Sequence, residues 1–163
     1  MSETAAPASP SRFADGRPML MAGIRRVHTF TEAARDIPGQ WEEFRRIGAS
    51  IPGARLGTTY GIMCGADMER GTFEYMCAVE VDSFDTLPRE LGRLRVPAAR
   101  YAVFTHDGPI AGIQRTWGAI MEWLPRSGFE SAHTPDFELY DSRYDVATES
   151  GEVEIWVGVR SAG

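Results

Sequence analysis

The apolar residues between positions 101 and 140 follow a strand pattern, then a helix pattern, then a strand pattern again. β-Branched and aromatic residues alternate over 101–105, and the chain then breaks at 107–109, Asp-Gly-Pro, where the first or second of these residues is placed to cap a helix. Apolar residues recur at three- and four-residue steps over 110–124, which is the period of one helical face. Residues 135–140 return to an extended pattern. The segment therefore predicts a strand–helix–strand unit.

The first half of the chain shows the same order of elements. Residues 17–30 predict a strand, and an amphipathic helix follows. The apolar face of that helix consists of Ile37, Trp41, Phe44 and Ile47. Two strands at 56–64 and 72–81 flank a polar, glycine-bounded loop, which predicts a hairpin. Residues 82–97 then form a connector with prolines near both ends.

The two halves match residue by residue as well as element by element. Three apolar helix positions in the first half align with three in the second at a constant offset. These are Trp41, Phe44 and Ile47, and Trp117, Ile120 and Trp123. Two such strand–helix–strand–strand units predict an α+β fold, in which an antiparallel sheet carries two helices and a groove forms where the halves meet. The predicted domain covers 17–163, with repeat halves at 17–81 and 98–160.

Composition and charge narrow the functional classes. A formal net charge of −6 and a pI near 5.1 argue against a nucleic-acid-binding surface. Cys64 and Cys77 are the only cysteines and lie in predicted strands, which indicates reduced, buried thiols. The sequence has no apolar run of membrane length and no secretory leader, so a cytoplasmic location is expected. Residues 1–16, rich in Ala, Ser and Pro, predict a disordered tail.

Glu138 is the strongest candidate for chemistry, because it is a charged residue in the middle of an apolar strand. By strand alternation Glu138 and Tyr140 share one face, while Phe137 and Leu139 share the other. A buried carboxylate is unfavourable unless a cation or hydrogen-bond donors compensate it. From the residues alone the favoured interpretation is an exposed glutamate in a salt bridge with a neighbour such as Arg143, since glutamate is rarely buried.

Aromatic side chains are the second candidate feature, because aromatic walls hold flat or cationic ligands. Any one of them can equally be an ordinary core residue. Trp41 and Trp117 are favoured for ligand contact, since they occupy equivalent positions on the two predicted helices. The remaining candidates for the groove are Tyr60, Tyr75, Tyr101 and Tyr140.

The other polar residues predict no further chemistry. The histidines and cysteines lack metal-ligand spacing, and no phosphate loop or nucleophile elbow is present, so neither a metal nor another cofactor is expected. The His-Asp-Gly motif at 106–108 is expected to cap the second helix. Glu74, Glu80 and Glu154 alternate along outer strands and are expected to form a solvated face.

Four short motifs follow one another in the second half of the chain. They are His106-Asp107-Gly108, Thr116-Trp117, Trp123-Leu124-Pro125 and Phe137-Glu138-Leu139-Tyr140. Their order and spacing resemble the GyrI-like effector-binding domain family, which also forms the drug-sensing half of some AraC- and MerR-type bacterial transcription activators. The resemblance implies an α+β fold with a central groove in which Glu138 meets the ligand.

Three functions from different classes remain open at this point. The first is capture of a small hydrophobic or cationic aromatic molecule. The second, implied by hydrolase members of the family, is the opening of strained cyclopropane-type genotoxins, with Glu138 polarising a water as general base. The third is a protein-interaction role, as in gyrase-inhibiting members. Direct DNA binding is not expected, because the predicted tail is too short for a helix-turn-helix, so a regulatory role would need a separate partner chain.

Overall fold

A computed structural model describes residues 8–163, which form ten strands and two helices. The strands are β1 (Arg12–Gly16), β2 (Met19–Thr29), β3 (Thr59–Asp67), β4 (Thr72–Val81), β5 (Gly92–Val96), β6 (Ala99–Pro109), β7 (Phe129–Ser131), β8 (Asp136–Tyr140), β9 (Tyr144–Asp145) and β10 (Ser150–Ser161). The helices are α1 (Ala33–Ile47) and α2 (Ile113–Trp123), flanked by short 3-10 turns at Gly48–Ser50, Ile110–Gly112 and Leu124–Arg126.

The strands form one antiparallel sheet in the order β1-β6-β10-β8-β3-β4-β2-β5, with β7 and β9 paired to β10. The two predicted units are present as β2-α1-β3-β4 and β6-α2-β8-β10, so the predicted α+β fold with a duplicated unit is confirmed. The two units meet at the central pair β3 and β8, where Gly61 lies opposite Glu138.

The sheet is strongly curled, because two very short links join its opposite edges. Residues 17–18 connect β1 at one edge to β2 near the other, and residues 97–98 connect β5 back to β6. A link of two residues spans at most about 11 Å between the strand ends. The edges must therefore lie close together, and the sheet encloses an inner face.

The inner face and the helix-covered outer face each hold a hydrophobic core. The inner core draws side chains from β1 to β6, β8 and β10, and its larger members include Met21, Tyr60, Ile62, Met76, Tyr101 and Phe137. On the outer face, α1 buries Phe44 over β4, and α2 buries Ile120 over β6 and β10. The helices thus cover the two ends of the outer face and leave the central strands between them.

The predicted N-terminal tail is partly wrong. Residues 1–7 lie outside the described part of the chain, but Arg12–Gly16 forms β1 and pairs with β6 from Val103 to Ala99. The ring of Phe13 packs at a tilt against that of Phe129, with centroids 5.1 Å apart. Composition alone missed this strand, because its stability comes from pairing with a distant strand and not from its own sequence.

Long-range pairing also changes two other predicted boundaries. The connector at 82–97 contains β5, which pairs with β2 at the edge of the sheet. The expected break and helix cap at 107–109 is wrong, because β6 continues to Pro109 in register with β10 and α2 follows a 3-10 turn without a side-chain cap. His106 instead joins β6 to α2, with Nδ1 2.7 Å from Thr116 Oγ1.

The expected solvated face of glutamates is wrong for Glu80 and Glu154, which are each 6% exposed. Glu80 is ion-paired with Arg17, and Glu154 accepts two hydrogen bonds from Arg12 at 2.9 and 3.2 Å. Arg12 lies in β1 and Arg17 lies in the link between β1 and β2, so both belong to the N-terminal segment. The alternating pattern gave the correct period, but it did not show that the arginines would cover these carboxylates.

Candidate ligand-binding site

A groove of about 1630 Å³ lies on the outer face between α1 and α2. Its floor comes from β3, β4 and β8, and its walls come from the two helices and the loops beside them. The predicted groove at the junction of the two halves is therefore present. Large exposed apolar side chains surround its mouth, namely Phe30, Leu56, Met121 and Val146.

Glu138 lies in the floor of this groove and is only 4% exposed. Its Oε1 accepts hydrogen bonds from Tyr75 Oη and Tyr140 Oη, both at 2.8 Å. Its Oε2 accepts one from Trp117 Nε1 at 2.9 Å. Three neutral donors from β4, β8 and α2 therefore converge on a single buried carboxylate, as the burial of a charge requires.

Trp41 orients one of these donors. Its Nε1 donates to Tyr75 Oη at 3.0 Å. Because an indole nitrogen can only donate, the Tyr75 hydroxyl uses its own proton for Glu138. The two equivalent helix positions therefore reach the same carboxylate by different routes: Trp117 contacts Glu138 directly, and Trp41 acts through Tyr75.

Gly61 makes room for this network. It lies on β3 directly opposite Glu138, and a Cβ atom at this position would be 2.0 Å from Tyr75 Oη and 2.7 Å from Glu138 Oε1. Any side chain here would displace the hydroxyl and the carboxylate. A glycine inside a strand often marks such a close approach.

Burial raises the pKa of Glu138, and the hydrogen bonds from Trp117, Tyr140 and Tyr75 offset only part of that effect. Burial and the nearby carboxylate also raise the pKa values of Tyr75 and Tyr140 well above the ordinary range for tyrosine, so both hydroxyls keep their protons. No arginine among residues 8–163 is ion-paired with Glu138, and the sequence has no lysine.

The residues alone predict an exposed Glu138 in a salt bridge with Arg143. Within residues 8–163 this salt bridge is absent. Arg143 instead contacts Asp141 at 2.8 Å and Glu154 at 3.4 Å. Glu138 retains one free acceptor position, since a carboxylate has about four and the three donors occupy three. That position is on Oε2, beside the Trp117 indole.

Aromatic rings surround the carboxylate. Trp41 packs edge-on against Tyr140 with centroids 5.1 Å apart and against Tyr75 at 6.5 Å. Tyr144 continues the wall beside Tyr140 at 5.1 Å. The groove therefore combines flat apolar surface with the buried negative group of Glu138.

The structure brings together five of the seven candidate residues and separates two. Glu138, Trp117, Trp41, Tyr75 and Tyr140 line the groove. Tyr60 and Tyr101, expected to bind ligand, point to the inner face instead, where their rings pack on Phe137 at 5.5 and 5.4 Å. The face of each strand depends on its register in the sheet, which the sequence pattern did not fix.

The residues of the site that sequence reasoning missed include Asp136 and Tyr144, which line the groove, and Gly61, which lies opposite Glu138. Asp136 had a usable signal, because it lies two residues before Glu138 and so shares its face of the strand. Gly61 had a weaker one, as a glycine within an apolar strand. Among residues 8–163 no three metal-ligating side chains cluster, and no helix is long and apolar enough to cross a membrane.

A duplicated α+β domain with a buried carboxylate in an aromatic groove has the architecture of a small-molecule-binding protein. The chain belongs to the GyrI-like small molecule binding domain family, which matches residues 10–160. The family resemblance of the sequence motifs is thereby confirmed.

Three similar proteins illustrate the range of relatives. The transcriptional regulator BrlR of Pseudomonas aeruginosa is 36% identical over 118 residues, which are 71% of this chain and 43% of BrlR, so the chain spans less than half of that relative. The structure of SAV2435 bound to tetraphenylphosphonium has a TM-score of 0.74 and 21% identity, with 91% of this chain and 93% of that chain covered. A hydrolase encoded by lin2189 from Listeria innocua has a TM-score of 0.56 and 11% identity, with 95% and 94% covered. At these identities the two structures establish the shared fold.

Proposed function

We propose that the groove binds lipophilic aromatic cations and that Glu138 is their counter-ion. The observation that carries this proposal is a carboxylate that is 4% exposed, accepts only neutral donors, and has no ion-pair partner among residues 8–163. A buried carboxylate of this kind has no ion-paired cation, and the nearby His106 offsets only part of the effect of burial on its pKa. A bound cation supplies the compensating charge.

The physical chemistry favours a cation over a neutral ligand. The pKa of Glu138 is raised because burial penalises its anion, and a positive charge nearby reverses this penalty. The indole rings of Trp41 and Trp117 add attraction, because the faces of aromatic rings are electron-rich. Neutral aromatic molecules would gain the apolar contact but not the electrostatic part.

The remaining charges of the groove support the same ligand class. Acidic side chains outnumber basic ones along its lining, which contains Glu42, Asp136, Glu138, Asp141 and Glu149 against Arg45 and His133. The groove volume of about 1630 Å³ also exceeds the roughly 300–1,000 Å³ of ordinary ligand pockets. We therefore propose that the site binds one cation at a time and accepts cations of different shapes.

The similar structure of SAV2435 with tetraphenylphosphonium suggests a first probe. Binding of tetraphenylphosphonium and of neutral triphenylphosphine oxide would be measured by isothermal titration calorimetry. We expect the cation to bind the wild type, and Glu138→Gln to weaken it by roughly 30-fold or more, because the buried charge pair is lost. The neutral compound should bind the wild type more weakly and change little in the variant.

Glu154→Gln is the matched control for this experiment. Glu154 is equally buried and also accepts an indole hydrogen bond, from Trp156 at 3.1 Å, but it is paired with arginines and does not line the groove. We expect this variant, measured below its own unfolding transition, to bind the cation like the wild type. Equal losses in both variants, or no binding to the wild type, would contradict the proposal.

Hydrolysis of a bound ligand is the second candidate function of this site. The free acceptor position on Oε2 of Glu138 can accept a hydrogen bond from a water, and burial raises the pKa of the carboxyl, which makes its anion a stronger base. Stable cations are expected to be recovered unchanged after long incubation, as shown by mass spectrometry. If the wild type consumes a strained electrophilic ligand and Glu138→Gln does not, then the function of the site is catalysis and not binding alone.

A further inference from the structure

Asp136 is a second acidic residue in the groove that the proposed cation site does not use. It is the first residue of β8 and lines the groove two residues before Glu138, on the same face of the strand. Residues two apart in a strand are separated by about 7 Å. The two side chains therefore leave the same face of β8 at neighbouring positions along the floor.

The hydrogen bonds of Asp136 leave half of its carboxyl group free. Its Oδ1 accepts the backbone N–H of Gly158 at 2.8 Å, and its Oδ2 accepts no hydrogen bond from residues 8–163. No ion pair within the described chain involves Asp136 either. The nearby Asp141 provides the contrast, because Arg143 contacts its carboxylate at 2.8 Å.

Resting on the cation site proposed above, we propose that Asp136 is a second anchor and that the preferred ligands are aromatic dications. One positive charge would lie at Glu138 and the other at the free Oδ2 of Asp136. The volume of the groove, about 1630 Å³, is ample for a ligand that spans both groups. The same geometry disfavours compact monocations, which leave Asp136 without a counter-charge.

The ionisation of Asp136 fits this role. Burial raises its pKa to about 6, and the Gly158 hydrogen bond offsets only part of the effect. At neutral pH the group is therefore mostly an anion that nothing in the described chain neutralises. The free energy gained by pairing such a group with a cation is larger than at an exposed surface site.

Ethidium and propidium provide a matched pair of probes. They share one phenanthridinium ring system, and propidium carries an additional quaternary ammonium group on a short propyl arm. Their dissociation constants at pH 7.5 would be measured by fluorescence titration for the wild type, Asp136→Asn, Asp141→Asn and Glu138→Gln. Asp136→Asn retains the acceptor for the Gly158 N–H and removes only the charge.

We expect the wild type to prefer propidium over ethidium by about tenfold and Asp136→Asn to lose that preference, because one close charge pair disappears. Ethidium affinity should fall much less than propidium affinity in Asp136→Asn, because the single charge of ethidium pairs with Glu138, and retained ethidium binding also shows that the groove of this variant is intact. Asp141→Asn removes a groove carboxylate that Arg143 already neutralises and should keep the preference for propidium. Glu138→Gln should weaken both dyes.

The possible results separate the two proposals. If Asp136→Asn changes both dyes equally or neither, or if Asp141→Asn has the same effect, Asp136 is not a specific anchor and this inference falls, while the Glu138 site stands. If both dyes bind the wild type and Glu138→Gln changes neither, the counter-ion assignment and the inference built on it both fall. If neither dye binds the wild type, the cation site itself is refuted.

Discussion

At the scale of single residues, Glu138 and Asp136 illustrate a conflict between folding and ligand binding. Glu138 is almost inaccessible to water and Asp136 is partly buried, and neither has an ion-pair partner among residues 8–163. Glu80 and Glu154 are just as inaccessible as Glu138, yet arginines accompany both of them. Unpaired buried acids destabilise a fold, and sites kept for ligands commonly carry such a cost.

The cost at Asp136 should be measurable as a pH dependence of stability. Its pKa is raised from 3.8 to about 6, so between about pH 4 and 6 the unfolded chain releases a proton that the native protein retains. The free energy of unfolding of the wild type should therefore fall by about 2 kcal/mol relative to Asp136→Asn as the pH rises through this window. Urea unfolding at pH 4, 5, 6 and 7 measures this difference.

Asp141→Asn is the control with the opposite sign. Arg143 lowers the pKa of Asp141, so its contribution to stability is present at neutral pH and is lost as the pH falls below the ordinary range of an aspartate. Wild type and Asp141→Asn should therefore diverge as the pH rises, with the wild type the more stable. A pH-independent difference for Asp136→Asn would show that Asp136 is not buried as described.

At the scale of secondary-structure elements, α1 and α2 contribute tryptophans at equivalent positions, but the two indoles donate to different hydrogen-bond acceptors. Trp117 donates to the charged Glu138 at 2.9 Å, whereas Trp41 donates to the neutral hydroxyl of Tyr75 at 3.0 Å. The helical period predicted that both indoles lie on apolar faces. The difference in their partners follows from the strands beneath them, since Tyr75 is on β4 and Glu138 is on β8.

Because the acceptors differ, the same substitution in the two helices is expected to lower the free energy of unfolding by different amounts. Trp117→Phe should lower the free energy of unfolding by about 2 kcal/mol, and Trp41→Phe by about 1 kcal/mol, because a hydrogen bond to a charged group contributes more than a neutral one. Both substitutions remove similar apolar area, so each serves as the other's control. Urea unfolding at pH 7.5 gives the comparison, and a larger loss for Trp41→Phe would contradict the network.

At the scale of the whole molecule, the fold is duplicated but the site is not. The central pair β3 and β8 relates the two halves, yet Glu138 on β8 faces Gly61 on β3. The first half instead supplies Tyr75, whose hydroxyl occupies the space that Gly61 leaves open. The two halves therefore build one carboxylate site together.

We accordingly expect one tetraphenylphosphonium ion per chain, although the architecture has two equivalent halves. Because Asp136 lies only about 7 Å from Glu138 along the strand, two such bulky cations would overlap in the groove. Isothermal titration calorimetry gives the stoichiometry directly, with active protein concentration checked by an independent assay. Two equivalent sites per chain would show that the first half binds on its own and would refute the single shared site.

The duplicated order of elements and the α+β class follow from the sequence, because strand and helix periods are local properties of the chain, whereas Glu138 was singled out by the family motif that contains it. The tertiary structure alone decided that β1 pairs with β6, that arginines cover Glu80 and Glu154, and that Tyr60 and Tyr101 face away from the groove. These features depend on strand register and on contacts between distant segments, which no local pattern encodes. The groove could be predicted, but the hydrogen-bonded network that holds Glu138 in its floor required the fold.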